Sequence, residues 1–382
     1  MKCNSVLIIL THIGIGGTEI QTLNIIKALT LAGYKVSVLC LYRNIPTMVQ
    51  SYIDAGAFVE IVSPEYNNYD AKITYYSGFK NFKFLFVVLK NTLKKIKPDI
   101  VHVQYMTPGA TIILMLKYLF KVKKIIATSH TAADIYSLKA LKLLRFITKY
   151  CLSGFQCITE TAEKGYFGTS QLFNETTHVG PGTHFTIHNA LPPFITLLET
   201  PKSFHNKKNI TLGVVSRLEK IKGMDLVVPA FAKVISQYPD TKLLVVGDGS
   251  LRSLMEHQAI EFNIINNVSF VGRKNQNELQ QWYDKIDILL MPSRSEGFGL
   301  TAIEGMARGC IPVVANIGGL PEVVSDNSGL LHKSTNIDDI ANKIIYASQN
   351  LNKYSNLALK RAQKFTPYTF NKSIKLLYNK LF

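Results

Sequence analysis

The sequence predicts an α/β protein of two doubly wound, Rossmann-like domains, and three observations carry that prediction. Short apolar runs of strand length alternate with segments of helical period, and the alternation occurs twice, over residues 5–187 and again over 210–347. Between the two series lies the stretch 191–208, with Pro192, Pro193 and Pro201 followed by a polar run, which has the composition of a linker. The length, 382 residues, suits two domains. The expected division is 1–195, 205–365 and a closing helix over 366–382. A ligand site is expected in the cleft between the domains, where pockets commonly form.

In the first series Ser5–Leu10 reads as a buried strand. A helix over 18–32 follows, with Ile20, Leu23, Ile26 and Leu29 at helical spacing and a stop at Gly33. Further strands are expected at 35–40, 58–62, 100–103, 124–128, 156–159 and 184–187. Helices are expected near 82–95, 110–120 and 138–151, and a polar loop at 174–182. In the second series strands are expected at 210–215, 242–246, 268–271, 286–290 and 311–314. Helices fall near 223–237, 251–262, 277–283, 301–308 and 338–347. The end of the chain is helical by pattern, with Phe370, Ile374, Leu377, Tyr378 and Leu381 on one face.

Composition sets limits. Hydrophobic residues make up 47% and charged residues 18%, as in a globular protein. The cysteines, Cys3, Cys40, Cys151, Cys157 and Cys310, are odd in number and contain no Cys-x-x-Cys pair, so neither a disulfide framework nor a zinc site is indicated, and a reduced, cytoplasmic setting is expected. The apolar run at the N-terminus is short and reads as a first strand rather than a signal peptide. No apolar stretch is long enough to span a bilayer. The net charge of +17 is concentrated: residues 72–149 contain fifteen Lys and Arg against Asp99 and Asp134. Tyr75, Tyr76, Phe79, Phe82, Phe84 and Phe86 are interleaved with them. That mixture suits an anionic membrane surface, and basic charge also suits nucleic acid.

The chemistry-bearing residues follow strand ends. Gly14-Ile15-Gly16-Gly17-Thr18-Glu19 joins the first strand to the first helix. A dinucleotide fingerprint would need glycine where Glu19 stands. Arg217 and Lys222 stand after the first strand of the second series, placed to clamp a diphosphate. His130 ends another strand; His102 and His188 also end strands and rank lower. In Met291-Pro292-Ser293-Arg294-Ser295-Glu296-Gly297-Phe298-Gly299-Leu300 a strand enters a glycine loop that opens a helix, and the unpaired N–H groups of such a helix start seat an anion. Glu296 and Glu304 flank that seat. A carboxylate one turn into the helix suits sugar hydroxyls. No Asp-x-Asp triplet occurs in the chain.

The Glu296-x7-Glu304 pair after Pro-Ser, the Ile311-Pro312-Val313-Val314 strand, Gly318-Gly319-Leu320-Pro321-Glu322 and Arg217-Leu-x-x-x-Lys222-Gly223 together resemble the retaining, nucleotide-sugar-dependent glycosyltransferases of family 4, which have the GT-B fold. The resemblance covers nearly the whole chain and is strongest over 212–331. It implies that Arg217 and Lys222 hold the donor diphosphate together with the backbone of Gly297, Phe298, Gly299 and Leu300. It implies that Glu296 orients donor-sugar hydroxyls, Glu304 binds ribose, Arg273 borders the base and His130 lines the donor-sugar site. Gly16 and Gly17 would let substrate phosphate and acceptor approach the backbone. A closing helix would cross back to the N-terminal domain. The chain departs from the family pattern at Gln104, where a second histidine of a His-x-His pair is usual, and at Asn189-Ala190 in place of Asn-Gly.

The function so implied is transfer of a sugar, from a UDP-sugar, to a hydroxyl of a glycan acceptor with retention of configuration. The departing phosphate oxygen takes the acceptor proton. No cofactor and no metal are expected. The basic window points to a lipid-linked acceptor of bacterial surface polysaccharide assembly and to a place on the cytoplasmic face of the membrane. Two alternatives stay open: a nucleotide-sugar epimerase or hydrolase of the same fold, and a basic nucleic-acid-binding protein, which would have no use for the two carboxylates beside the phosphate seat.

Overall fold

The computed structural model describes residues 4–41, 48–62, 79–104, 111–204 and 209–381. The chain divides into two units, Met1–Ala190 with Pro367–Phe382, and Leu191–Thr366. Tyr75, Tyr76, Cys3 and residues 205–208 of the expected linker lie outside the described residues.

The first unit holds one seven-stranded parallel sheet of β1 (Ser5–Leu10), β2 (Lys35–Cys40), β3 (Phe58–Ile61), β4 (Ile100–Gln104), β5 (Ile125–Ser129), β6 (Gly154–Cys157) and β7 (His184–Thr186). Their spatial order is β3-β2-β1-β4-β5-β6-β7. Apart from Ser5, every residue of β1, β4, β5 and β6 is buried. A parallel sheet covered on both faces requires this, and it is why β1 reads as an apolar run after Ser5 and β4, β5 and β6 as mostly apolar ones, with His102, Gln104, Thr128, Ser129 and Gln156 as buried polar exceptions. The helices are α1 (Gly17–Leu31), α2 (Val49–Asp54), α3 (Phe79–Ile96), α4 (Thr111–Leu114, running into a π turn, Met115–Leu119), α5 (Leu138–Cys151) and α6 (Glu160–Phe167). Right-handed crossovers put α3, α4 and α5 on one face of the sheet and α1 and α2 on the other. The core under α3, α4 and α5 includes Leu89, Ile113, Leu144 and Phe155.

The second unit repeats the plan. Strands β8 (Thr211–Val215), β9 (Lys242–Val246), β10 (Val268–Gly272), β11 (Ile288–Met291), β12 (Ile311–Ala315) and β13 (Leu330–His332) form a parallel sheet in the order β10-β9-β8-β11-β12-β13. The helices are α7 (Val227–Ile235), α8 (Arg252–Glu261), α9 (Leu279–Lys285), α10 (Leu300–Ala307), α11 (Leu320–Val323), α12 (Ile337–Ser348) and α13 (Leu351–Ala362). The last helix, α14 (Pro367–Asn379), belongs to the first unit and packs on α1. There Tyr378 Oη lies 2.7 Å from His102 Nδ1, and Lys380 Nζ donates to the carbonyls of Glu175 and Thr177 at 2.6 and 2.7 Å.

Several expectations shift. Strands expected at 156–159 and 286–290 form two residues away, at β6 and β11. Gly154 enters the sheet against the Phe185 ring, where a Cβ would meet it at 3.2 Å. Asp287 precedes β11, where its carboxylate accepts the Thr211 N–H at 2.8 Å and its own N–H donates to the Thr211 carbonyl at 2.9 Å. α6 was not anticipated, although Thr159 caps it by accepting the Ala162 N–H at 3.2 Å and Gly168 closes it at φ +86°. β13, with three residues, is too short to show a period. α2, α11 and α13 were likewise unexpected.

The proline-rich stretch is not a free linker. Residues 191–195, expected in the first domain, begin the second unit. Leu191 N–H donates to the Phe365 carbonyl at 2.8 Å. Arg308 donates to the Thr196 carbonyl at 2.8 Å, and Lys202 Nζ donates to the Ile286 carbonyl at 2.6 Å. Among the described residues no helix is long and apolar enough to cross a membrane. Cys40, Cys151, Cys157 and Cys310 are buried and form no disulfide.

Candidate active site

Strand order locates the candidate sites. In an open parallel sheet the crevice forms at the carboxyl ends of strands where the order reverses. The second sheet reverses between β8 and β11. The loop after β8 carries Arg217 and Lys222, and the loop after β11 carries Glu296. Lys222 Nζ and Glu296 Oε2 are 2.6 Å apart, at 23% and 16% side-chain exposure. The sequence motifs that supplied them are 74 residues apart.

Backbone packing makes that meeting possible. Lys222 ends a 3₁₀ turn, Lys220–Lys222, and Gly223 follows at φ +70°. A Cβ on Gly223 would stand 1.9 Å from the Pro292 carbonyl oxygen. On the far side of Glu296, Gly318 at φ +51° would place a Cβ 1.9 Å from the Glu296 carbonyl oxygen, which also accepts the Gly319 N–H at 3.2 Å. A side chain at Gly223 would push the loops after β8 and β11 apart, and one at Gly318 would push the loop after β12 off Glu296.

Arg294 completes the join and was missed in the sequence. Its N–H donates to the Ile221 carbonyl at 2.8 Å and its guanidinium to the Lys220 carbonyl at 2.7 Å. The guanidinium fork also takes both oxygens of Asp225, at 2.6 and 2.8 Å. A bidentate pair of this kind fixes geometry as well as charge. Nothing in the spacing of Arg294 and Asp225 pairs them; only the fold does. Arg294→Ala is expected to cut turnover about tenfold or more by loosening the Lys222–Glu296 geometry. Arg294→Lys, which keeps the charge without the fork, should recover part of it. Steady-state kinetics on both variants checks this, and equal rates for wild type and Arg294→Ala contradict it.

Arg217 is exposed, with no counter-carboxylate at ion-pair distance among the described residues. Glu219 beside it accepts from Ser250, the hydroxyl at 2.7 Å and the N–H at 3.1 Å. These bonds and the neighbouring Arg217 hold the Glu219 carboxyl below its ordinary range. The Gly247-Asp248-Gly249 turn packs under this loop, with the Leu218 N–H donating to the Asp248 carbonyl at 2.9 Å. Arg273 follows β10 and is exposed.

After Glu296, Gly297 and buried Phe298 lead to Gly299, the N-cap of α10 at φ +101°. Phe298 meets the Phe365 ring edge-on at 5.7 Å between centroids. Leu300 opens α10, one residue earlier than expected. Glu304 is buried on α10, and Tyr283 Oη donates to its Oε2 at 2.5 Å. Burial pushes the Glu304 carboxyl up to about 7, with the Tyr283 hydrogen bond opposing the rise. Tyr283 was not singled out in the sequence.

The first sheet reverses between β1 and β4. Gly16 and Gly17 lie in the loop after β1, and Gly16 is the N-cap of α1. Gly16 leaves room for the buried Glu19 carboxylate, whose Oε2 a Cβ there would approach to 2.5 Å. His12 Nε2 lies 2.9 Å from Glu19 Oε1. Burial pushes the Glu19 carboxyl up, while the hydrogen bond and charge of His12 pull it down and leave it below its ordinary value.

His130 follows β5, with its Nε2 2.8 Å from Gln104 Oε1, so the residue that departs from the family pattern is its partner. Nδ1 of His130 is buried and has no partner among the described residues. Burial lowers the His130 pKa to about 4, so the ring is neutral near pH 7. His102 is structural: Tyr378 and Thr128 each take one ring nitrogen at 2.7 Å, and burial depresses its pKa to about 3.

Comparison with known proteins agrees with both halves. Residues 198–365 match the family described as glycosyl transferases group 1, and residues 15–162 match glycosyl transferase 4-like. An uncharacterized glycosyltransferase of Methanocaldococcus jannaschii is 27% identical over 263 residues, 68% of each chain. The GDP-mannose-dependent monoacylated alpha-(1-6)-phosphatidylinositol monomannoside mannosyltransferase of Corynebacterium glutamicum is 33% identical over 138 residues, 34% of this chain and 35% of that one. The match therefore spans about two thirds of the first relative and about one third of the second. Among solved structures, Anabaena HepE in complex with UDP and glucose superposes with a TM-score of 0.73 at 17% identity, covering 97% of this chain and 98% of that one.

Proposed function

Because the chain belongs to glycosyltransferase family 4 and has the GT-B fold, we propose that it moves a sugar from a UDP-sugar to a hydroxyl of a lipid-linked glycan, with retention of anomeric configuration, in surface-polysaccharide assembly. The observation that carries the reading is the Lys222–Glu296 pair at the reversal of the second sheet, beside the N-terminus of α10. Cation, carboxylate and unpaired N–H groups meet there, which suits a sugar diphosphate better than a bare anion.

The leaving diphosphate gains negative charge as the glycosidic bond breaks. Arg217, Lys222 and the N–H groups of Gly299 and Leu300 at the start of α10 are donors for that charge. On donor arrival Lys222 is shared between phosphate and Glu296, and Glu296 accepts from the sugar hydroxyls. Glu304 accepts from ribose, and Arg273 borders the base. In the first unit, neutral His130 offers the Nδ1 lone pair to a donor-sugar hydroxyl, and Gly16 and Gly17 admit substrate close to the backbone. The departing phosphate oxygen takes the acceptor proton, so no side chain serves as nucleophile.

UDP in the Anabaena protein supports a UDP-linked donor, whereas the Corynebacterium relative is named as GDP-mannose-dependent; the phosphatidylinositol monomannoside in that relative's name supports a lipid-linked glycan as acceptor. The basic window supports a peripheral place on the cytoplasmic face of the membrane. The test is nucleotide release across a panel of UDP- and GDP-sugars, with and without membrane extract. Release of one nucleotide, stimulated by the extract, is expected. Isomerised or free sugar with no stimulation would mean an epimerase or hydrolase, and no release from any donor would remove the reading.

The cations above do the electrostatic work a metal does elsewhere, and the chain contains no Asp-x-Asp triplet. Turnover is therefore expected to persist in excess chelator. Loss of activity that manganese or magnesium restores would contradict the assignment.

A further inference from the structure

The first sheet has a second chemical feature, at its amino edge and away from Gln104 and His130. β4 and β5 are five residues long, so the two edges are about 16 Å apart. At the amino edge a groove of about 580 Å³ is lined by Lys90, Lys94, Lys97, Lys121, Lys123 and Lys124, over a floor of Leu93, Pro98, Phe120 and Val122. Its one acid, Asp99, already accepts the Ser5 N–H at 2.9 Å. Among the described residues, Lys94, Lys97, Lys121 and Lys123 have no carboxylate at ion-pair distance.

Helix dipoles explain only part of this charge. α3, the π turn and α5 all end at this edge, and Lys94, Lys95, Lys117 and Lys149 lie in their last turns, where cations are favourable. Lys97, Lys121, Lys123 and Lys124 lie beyond the helix ends. Two of these, Lys97 and Lys121, sit at φ +50° and +52°, a conformation in which glycine is the unstrained choice. Lysine is present at both positions despite the backbone cost, and both side chains line the groove.

The groove continues into an apolar surface. Phe120 stacks on Phe86 of α3 at 5.3 Å, and Tyr118 Oη lies 3.8 Å from Cys151 Sγ at the end of α5. Around that junction Tyr118, Leu119, Phe146 and Tyr150 are each about half exposed. Phe146 and Tyr150 pack on each other at 4.8 Å, and Lys149 lies over Tyr150 at 5.3 Å. Lysines beside half-exposed aromatic rings form the surface that a headgroup region accepts.

We propose that this edge of the first unit docks on an anionic phospholipid leaflet. The lysine groove takes a lipid phosphate, while Tyr118, Leu119, Phe146 and Tyr150 enter the headgroup layer. The proposal rests on the membrane part of the functional reading and deepens it by naming the face; the ring residues that enter the headgroup layer are Tyr118, Phe146 and Tyr150 rather than the run from Tyr75 to Phe86 that the sequence interleaves with its lysines.

The two strained lysines supply a test that folding defects do not confound. In the variant K97G/K121G glycine relieves both φ angles, so its thermal midpoint should equal or exceed that of wild type. The full chain is sedimented with vesicles of phosphatidylcholine alone or with 30 mol% (roughly; any strongly anionic mixture serves) phosphatidylglycerol, at low and high salt. Wild type should bind only the anionic vesicles and dissociate as salt rises. K97G/K121G should bind about 25-fold more weakly, at about fivefold per lysine. Tyr118→Ser with Phe146→Ser should weaken binding to the anionic vesicles at low salt and lower the salt concentration at which the protein dissociates.

Transfer to a soluble acceptor should be the same in wild type and K97G/K121G. Vesicle binding without any glycosyl transfer would remove the functional reading and leave this face standing. Wild type that ignores anionic vesicles, or K97G/K121G that binds them as well as wild type does, overturns the proposal. Saturable binding of inorganic pyrophosphate that K97G/K121G abolishes, with no vesicle binding, would overturn it in favour of a soluble phosphorylated ligand.

Discussion

Arg217→Ala and Lys222→Ala are each expected to lower turnover by on the order of 10²-fold, equivalent to about 3 kcal/mol of lost charge stabilisation at the leaving diphosphate. The two should differ in stability. Arg217 is exposed, so its removal should leave the thermal midpoint unchanged. Lys222 is 2.6 Å from a mostly buried Glu296 carboxylate, so its removal strands that charge. Lys222→Ala should therefore lower the midpoint, and adding Glu296→Gln should restore part of it without restoring turnover. Steady-state rates and thermal melts on the four proteins check this. Near-normal turnover in both single variants would end the diphosphate-clamp assignment.

The second large effect concerns Glu304 and pH. Burial raises its pKa to about 7, so the free site is close to half protonated at neutral pH. Ribose hydroxyls donate to the carboxylate form, so binding expels the proton. The nucleotide-bound state then holds fewer protons, and affinity rises with pH, by up to about tenfold per unit below 7, levelling above it. Glu304→Gln should abolish that rise and weaken binding even of a nucleoside diphosphate with no sugar. Glu296→Gln should spare the free nucleotide and damage binding of the full donor. Calorimetry in two buffers of different ionisation enthalpy reads the proton directly, and a proton release unchanged in Glu304→Gln would show that another group is responsible. The sign for folding is the reverse. A carboxyl raised in the fold contributes stability below its unfolded pKa and loses it as pH rises through about 7. Glu304→Gln should therefore gain stability relative to wild type on the alkaline side.

Local patterns made much of this visible in the sequence. Buried parallel strands are apolar on both faces, so β1 and β12 announce themselves as apolar runs, and β4 and β5 do so apart from His102, Gln104, Thr128 and Ser129. Glycine loops at strand ends pointed to Gly16, Gly17, Gly297 and Gly299 for the same local reason. What stayed hidden depends on contacts between distant segments. Arg294 and Asp225 are ordinary loop residues until Gly223 brings their backbones together. Tyr283 looks like any core aromatic until its hydroxyl meets Glu304 across 21 positions. Gln104 read as a departure from a pattern, and its role as the partner of His130 follows only from the pairing of β4 with β5. The charge of residues 72–149 was plain in composition, but which lysines share a groove was not, since the end of α3 and the segment after the π turn must first converge.

The central claim is that Arg217 and Lys222 seat the diphosphate of a nucleotide donor. A calorimetric titration of the full chain with UDP and with GDP, against uridine and guanosine, tests it most directly, in wild type and in the variant R217A/K222A. The account predicts saturable binding of one diphosphate by wild type, weakened at least about 100-fold in the variant, with nucleoside binding unchanged. Wild type that binds neither diphosphate, or a variant that binds it as tightly as wild type does, would contradict the account.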